Sequence, residues 1–372
     1  MRAVFFGFGK ANLGKVIDIM SLRVRGIIVF ATRLTFLLIL GCIATEFAAR
    51  LYLHFEPKPL EYFSLRASLS GAYVNAPYFN EQFLNEQRQL SKVFDLDANF
   101  SYIIARDFHG TYFNVEGGHR FTVGQPEKYS HTLWLFGAST VFNSEVPDDY
   151  TIASQLQRLM PTYQIINAGT TTNTIQQQIT RLRSERIRAG DDVVFYDGAT
   201  DVQGIYNAAA NQSKKSGINA LCEWLKLDTN LQRLFMTQII CRIAESQKPD
   251  LSLLDVTGAV NIYKRTILEA RHYTETKGAT FYYFLEPQLF SRKLSVAENA
   301  LAANTQFVQP GYRETVTSAW PAFQEATMQI GGFDLTHILD NEHTIYLDTW
   351  HTTDLGCKWA AIAMYEAIVT TI

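Results

Sequence analysis

The sequence predicts an α/β fold built on a parallel sheet, preceded by one membrane-spanning helix. Short apolar runs of strand length alternate with helix-length segments from residue 131 onward. Polar residues follow several of these runs where the strands would end. An apolar segment long enough to cross a bilayer lies near the N-terminus, at residues 26–48. Apolar strands that alternate with helices are typical of a parallel sheet covered on both faces.

Composition limits the possible functions. The chain has 372 residues, 47% hydrophobic and 13% aromatic, which is enough for a large core without help from a metal. The length fits two domains, or one large domain with additions. The formal charge is −3, and basic residues do not cluster with aromatic ones in the main domain. We therefore expect no nucleic-acid partner.

The four cysteines indicate no metal site. They form no Cys-x-x-Cys pair and show no Cys/His spacing of the kind that zinc requires. We expect neither a metal nor a cofactor. Cys222 and Cys241 flank one helical segment and could form a disulfide in an oxidising compartment, which the sequence alone leaves open.

The N-terminal region has the pattern of a signal anchor. Residues 1–25 form a basic tail, and residues 26–48 are the predicted transmembrane segment, with Arg33 inside it. The basic flank predicts a cytoplasmic N-terminus and a main domain in the periplasm or outside the cell. A cleaved secretory signal is the alternative. No clear small-x-small cleavage site follows the segment, which favours an uncleaved anchor.

Residues 49–130 form a predicted juxtamembrane accessory region that is rich in aromatic residues. Residues 83–93 have a helical pattern. Apolar and polar residues alternate in residues 108–114 and 120–123, which indicates a hairpin or edge strands. Gly117-Gly118 is the predicted turn between them.

Residues 131–372 form the predicted α/β domain, with a helical insertion at about residues 203–260. Five strands are predicted, at Leu133–Phe136, Tyr163–Asn167, Val193–Tyr196, Thr280–Leu285 and Thr344–Leu347. Helices are predicted at Ile152–Leu159, Thr174–Arg188, Val260–Lys277, residues 312–330 and Gly356–Val369. In such a sheet, ligands bind at the carboxyl ends of the strands.

The first predicted strand runs directly into Gly137-Ala138-Ser139-Thr140. Gly137 allows a sharp turn, which leaves Ser139 near the start of the next helix. Backbone N–H groups at a helix start have no partner inside the helix, and they suit a developing oxyanion. Taken alone, Ser139 would be interpreted as an N-cap residue.

The ends of the other strands supply partners for Ser139. Gly169 follows the second strand, Thr200 the third, and Asp348 and His351 the fifth. His351 can act as a base for the Ser139 hydroxyl, and Asp348 can orient its imidazole. Backbone N–H groups at Ser139 and Gly169 can donate to an oxyanion.

The order and spacing of these residues resemble the SGNH, or GDSL-type, hydrolases. The blocks are Gly137-Ala138-Ser139, Gly169, Gly198-Ala199-Thr200-Asp201 and Asp348-Thr349-Trp350-His351. The resemblance implies a flavodoxin-like, three-layer fold with a five-stranded parallel sheet. It also implies Ser139 as nucleophile, His351 as base and Asp348 as its partner. The family cleaves or transfers acyl esters on lipids, saccharides and small molecules.

Two residues depart from the family pattern. Ala138 replaces an Asp that is not a triad member. Thr200 replaces the Asn that donates to the oxyanion alongside Gly169, and a Thr hydroxyl has a shorter reach. Loss of one such donor typically costs about 10²–10³ in turnover. Asn173 could compensate, although a turn or N-cap role is the simpler interpretation.

Three functional hypotheses follow. The first is a membrane-anchored serine esterase or O-acyltransferase whose acyl-ester substrates include envelope glycans. The second, motivated by Thr200, is a catalytically silent domain that binds a glycan or a partner protein. The third is a nucleotide or phosphate binder, which the single glycine in Phe136–Thr140 disfavours.

Overall fold

The computed structural model describes residues 10–55, 71–73, 76–97, 99, 101–213, 221–222, 235–245, 248–304, 308–340 and 345–371. The chain divides into two units. One comprises residues 1–58 and 216–245, and the other comprises residues 59–215 and 246–372. The first unit contains the N-terminal helix, and the second contains the sheet.

The first unit is built on α1, Lys10–Phe55. Within α1, the 23 residues Val29–Leu51 are long and apolar enough to cross a membrane, and a signal sequence near an N-terminus would meet the same criterion. Most of the large apolar side chains in this stretch are exposed. Near its end, Arg50 Nε lies 3.2 Å from Glu46 Oε1.

A second helix, α7 (Phe235–Glu245), packs against α1. Cys241 of α7 forms a disulfide with Cys222, with 5.0 Å between the two Cα atoms. The structure therefore contains the disulfide that the sequence left open. The remainder of the segment 214–234 lies outside the described residues, so that part of the predicted helical insertion stays a prediction.

The second unit contains an eight-stranded sheet in the order β10-β9-β8-β6-β7-β5-β4-β3, and β1 and β2 form a separate antiparallel pair. The strands are β1 Phe94–Leu96, β2 Ile103–Ala105, β3 Phe108–His109, β4 Asn114–Glu116, β5 His119–Arg120, β6 His131–Gly137, β7 Tyr163–Asn167, β8 Asp192–Asp197, β9 Thr280–Leu285 and β10 Phe333–Asp334. The first five strands in the spatial order run parallel.

Helices cover both faces of the sheet, as the alternation of strands and helices predicts. They are α2 Glu81–Leu90, α3 Ser139–Phe142, α4 Ile152–Leu159, α5 Ile175–Ser184, α6 Ala199–Ser213, α8 Val256–Thr276, α9 Val296–Ala303, α10 Tyr312–Gln329 and α11 Asp354–Thr371. Trp134 and Phe136 of β6 face the core formed with α5, α6, α8 and α10. Leu133 and Leu135 face the opposite core, formed with α2, α4 and α11. The α/β prediction is confirmed.

The accessory region extends the sheet. Strands β3, β4 and β5 are antiparallel, and β5 pairs with β7 through Arg120 and Asn167. The predicted turn at Gly117-Gly118 is confirmed. Both glycines have positive φ angles, of 56° and 82°, which a residue with a side chain adopts at a steric cost.

The sheet has eight strands, of which five run parallel, and the predicted fifth strand is wrong. The fifth parallel strand is β10, and Ile345–Leu347 form only one isolated bridge, between Tyr346 and Thr352. Thr344 lies outside the described residues. Residues 345–347 are apolar because they are fully buried in a turn, not because they join the ladder. A two-residue strand such as β10 has too little pattern to be predicted from sequence.

We expect Phe136→Ala to lower the free energy of unfolding by about 3–5 kcal/mol, because it leaves a cavity in the core. Phe136 is fully buried in β6, and its ring stacks on that of Phe195, with 5.2 Å between centroids. Urea unfolding of the full chain in detergent measures the change. Met328→Ala, at an exposed position, should stay within about 0.5 kcal/mol. Equal effects at both positions would contradict the placement of this core.

Candidate active site

Ser139 is the first residue of α3, a single helical turn that directly follows β6. A β-carbon on Gly137 would lie 2.2 Å from Val141 Cγ2 and 2.5 Å from the Tyr196 carbonyl oxygen. Only glycine therefore allows the strand to turn into the helix at this position. Ser139 is half-buried, and its N–H, at the helix start, has no acceptor within the helix.

Asp348 and His351 lie in a tight turn between Leu347 and Thr353. The Leu347 N–H donates to the His351 carbonyl over 2.8 Å, which closes the turn. Asp348 Oδ1 accepts the N–H groups of Trp350 (3.0 Å) and His351 (2.7 Å). Asp348 Oδ2 lies 2.7 Å from His351 Nδ1. The carboxylate therefore fixes both the turn and the imidazole ring.

The turn brings His351 to Ser139. His351 Nε2 lies 2.8 Å from Ser139 Oγ, and the His351 side chain is 13% exposed. Ser139, His351 and Asp348 thus form one hydrogen-bonded chain, although the first is 212 residues from the second. This order, from hydroxyl to imidazole to carboxylate, is the arrangement in which a base activates a serine.

A second carboxylate, which sequence reasoning did not find, faces the imidazole. Glu145 Oε1 lies 3.9 Å from His351 Nδ1, and Glu145 is almost fully buried. Its backbone carbonyl accepts the Tyr73 hydroxyl over 2.7 Å. Glu145 lies in the loop after α3, and nothing in its local sequence pattern indicates that it approaches His351.

Gly169 lies against the helix that carries Ser139. A β-carbon on Gly169 would lie only 2.4 Å from the Phe142 nitrogen, so the close approach requires glycine. The Gly169 N–H donates to Asn167 Oδ1 over 3.0 Å. The N–H predicted to serve the oxyanion therefore has another acceptor in this structure.

Thr200 and Asn173 are the two sequence-predicted candidates for the third oxyanion donor. Thr200 is half-buried at the start of α6, three residues after Asp197. Asn173 is fully buried, and its amide bonds both the N–H (2.9 Å) and the carbonyl (3.0 Å) of Ile103. Asn173 thus neither compensates for Thr200 nor caps α5, whose N-cap is Thr174. The compensating-donor and N-cap interpretations of Asn173 are wrong, because its amide is hydrogen-bonded to β2.

Two buried acids, Asp197 and Glu286, and the half-buried Asp201 lie at the ends of β8 and β9. Asp197 Oδ1 accepts the Gly198 N–H over 2.8 Å, and Glu286 Oε1 accepts the Ala199 N–H over 2.9 Å. Burial raises the pKa of Asp197 to about 7. Burial, together with the charge of Asp197, raises the pKa of Glu286 to about 8. Burial and these two neighbours raise the pKa of Asp201 well above its usual range.

Across the described ranges, no group of three or more His, Cys, Asp or Glu side chains is placed to hold a metal ion. Burial penalises charge, so the surroundings of Asp197 and Glu286 favour their protonated forms.

No protein-family model matches the chain, and no curated protein sequence matches it either. Solved structures do resemble its fold. A lipolytic protein of the G-D-S-L family from Veillonella parvula is 11% identical with a TM-score of 0.38, covering 64% of this chain and 99% of that one. A carbohydrate acetylesterase family member from Sinorhizobium meliloti is 13% identical with a TM-score of 0.38, covering 64% and 97%. An acetyl xylan esterase is 12% identical with a TM-score of 0.38, covering 64% and 99%.

We expect the stability of the protein to fall as the pH rises from about 5 to 8. The unfolded carboxyl groups release their protons near pH 4, whereas Asp197 and Glu286 keep theirs until about pH 7 and 8. The folded state therefore binds more protons in this window, so raising the pH favours unfolding. Urea midpoints measured between pH 5 and 8.5 test this.

Glu286→Gln should flatten this pH dependence, because the amide does not titrate in the buried site. Glu116→Gln, at an exposed position, is the matched control and should leave the dependence as in the parent protein. A Glu286→Gln profile with the parental slope would show that Glu286 keeps an ordinary pKa.

Proposed function

We propose that the protein is a membrane-anchored serine esterase or O-acyltransferase that acts on acyl esters through Ser139, His351 and Asp348. The observation that carries the proposal is the continuous hydrogen-bonded chain, with 2.8 Å from Ser139 Oγ to His351 Nε2 and 2.7 Å from His351 Nδ1 to Asp348 Oδ2. Both distances lie in the range that proton transfer requires.

In the proposed reaction, His351 Nε2 takes the Ser139 proton as Oγ attacks the ester carbonyl carbon. The imidazolium that forms is stabilised by Asp348. When the tetrahedral intermediate collapses, the C–O bond to the alcohol breaks, and His351 donates the proton to the leaving oxygen. Water in a hydrolase, or a second alcohol in a transferase, then attacks the acyl-Ser139 ester with His351 again acting as base.

The proposed oxyanion donors are the Ser139 N–H, the Gly169 N–H and the Thr200 side chain. The Ser139 N–H is the best supported of them, because it has no intrahelical acceptor. Binding of substrate would have to draw the Gly169 N–H from Asn167. Such a change is consistent with a site that becomes fully ordered only with its own substrate.

The hydrogen bond from the Gly169 N–H to Asn167, and the Thr hydroxyl that stands at position 200 in place of an Asn amide, favour a second candidate function. A domain in which Gly169 and Thr200 never turn to the oxyanion would be catalytically silent and would bind a glycan or a partner protein instead. The two candidates differ in whether Ser139 reacts. Envelope glycans are the proposed acyl-bearing substrate because an anchored domain outside the cytoplasm would be held close to them.

The proposed location follows from the N-terminal segment and the disulfide. The basic residues before the apolar stretch of α1 favour a cytoplasmic N-terminus. The Cys222–Cys241 disulfide supports an oxidising compartment for the rest of the chain. Both point to a main domain in the periplasm or outside the cell.

We expect a fluorophosphonate probe to label the full chain in detergent at Ser139, because an activated hydroxyl attacks phosphorus as it attacks a carbonyl. Ser139→Ala should abolish labelling, and Asp348→Asn should lower its rate by about 10⁴, through loss of the orienting carboxylate. Ser130→Ala, at an exposed serine, is the matched control. Mass spectrometry of the adduct identifies the site. Folded protein without an adduct at Ser139 would favour the silent domain.

We expect a reporter fused after Ile372 to be active only outside the cytoplasm, and Cys222 and Cys241 to resist alkylation in intact cells until a reductant is added. Cys42, which is exposed and free, provides the internal control for the alkylating agent in solubilised protein. A reporter that is active in the cytoplasm, or freely alkylated Cys222 and Cys241, would overturn the proposed location.

A further inference from the structure

Arg120 of β5 is a buried arginine that lies outside the triad yet reaches the segment following Ser139. It is 1% exposed. Its Nη1 donates to the carbonyl oxygens of Phe142 (2.8 Å) and Asn143, and its Nη2 donates to that of Val146 over 2.7 Å. Its Nε donates to Asp148 Oδ1 over 2.9 Å. One guanidinium thus joins four groups within residues 142–148.

Two of the carbonyl groups that Arg120 holds lie at the end of α3. A helix end leaves carbonyl groups without partners, and a cation beside them is stabilising. Asn143, the next residue, has a φ of 54°, and its N–H donates to the Ser139 carbonyl over 2.7 Å. A residue other than glycine keeps such a conformation only where its surroundings fix it. Arg120 therefore restrains Asn143, whose N–H is hydrogen-bonded directly to the Ser139 carbonyl.

The hairpin formed by β4 and β5, which ends at Arg120, is also connected by hydrogen bonds to the loop that contains Gly169. Arg181 of α5, also buried, donates from Nη2 to the Gly118 carbonyl over 2.7 Å and from Nη1 to the Gly169 carbonyl over 3.3 Å. The Thr170 hydroxyl donates to the Ile103 carbonyl over 3.0 Å. Residues 103–120 thus support both the segment 142–148 and the loop that contains Gly169.

We infer that Arg120 is a positioning residue for Ser139, so that the accessory strands are a structural part of the active site and not a spacer. The inference rests on the proposed function. Arg120 acts through the α3 backbone, since its guanidinium contacts carbonyl groups and Asp148 rather than the triad. A flat, forked cation suits this role because it reaches several carbonyl oxygens at once, which the single ammonium of Lys does not.

The test compares Arg120→Met and Arg120→Lys with Phe83→Leu in the full chain. Phe83 is fully buried in α2, and its ring centroid lies 5.2 Å from that of Phe113, which lies 4.8 Å from the central carbon of the Arg120 guanidinium. It therefore serves as a matched loss of stability. Thermal unfolding is measured for each variant, together with the maximal rate and half-saturating concentration of fluorophosphonate labelling.

We expect Arg120→Met to lower the maximal labelling rate by about 10², the effect of misplacing a reacting group by ~1 Å. The half-saturating concentration should change little, and Arg120→Lys should recover part of the rate. Phe83→Leu should lower the melting temperature with near-parental labelling. Equal loss of labelling in Phe83→Leu and Arg120→Met at matched stability would overturn the inference, since Arg120 would then act only on the fold.

Hydrogen exchange separates this inference from the proposed function. If the parent protein is never labelled at Ser139, the proposed function fails, and exchange at the amides of residues 141–143 then decides on Arg120. Faster exchange at these amides in Arg120→Met, but not in Phe83→Leu, supports its role in holding α3. Unchanged exchange would overturn it.

Discussion

The helix that carries Ser139 packs so closely against Gly137 and Gly169 that neither position has room for a β-carbon. Added to Gly137, that atom would lie 2.2 Å from Val141; added to Gly169, it would lie 2.4 Å from the Phe142 nitrogen. This steric limit fixes α3 between the ends of β6 and β7. This close packing positions the Ser139 hydroxyl beside His351. The hydrogen-bonded chain of the site therefore depends on Gly137 and Gly169, which contribute no side chain.

Much of the sheet could be predicted because its signals are local. The apolar runs at Tyr163–Asn167 and Thr280–Leu285 coincide with β7 and β9. The position of Ser139 at the edge where the parallel strands end could be expected from the topology, whereas His351 reaches it from a turn that follows no strand of the sheet. The turn that carries Asp348 and His351 keeps its conformation without a preceding strand, because hydrogen bonds within the turn stabilise it.

The remaining features depend on contacts between distant parts of the chain, which a pattern within one segment cannot reveal. The amide of Asn173 is hydrogen-bonded to Ile103, 70 residues away, which the neighbours of Asn173 in the sequence do not indicate. Glu145 and Arg120 have unremarkable local sequences and gain their roles from burial beside His351 and α3. The apolar run at Ile345–Leu347 has the sequence pattern of a strand because its residues are buried, although they do not join the sheet.

The sheet ends at each edge in a strand of only two residues, Phe108–His109 on one side and Phe333–Asp334 on the other. A long, flat edge offers unpaired N–H and carbonyl groups to which a strand of another chain can add. Here the outermost strand on each side has only two residues, and β10 pairs with only the last two residues of β9. Very short edge strands of this kind give a strand of another molecule little to pair with, which is one way in which proteins limit edge-to-edge aggregation.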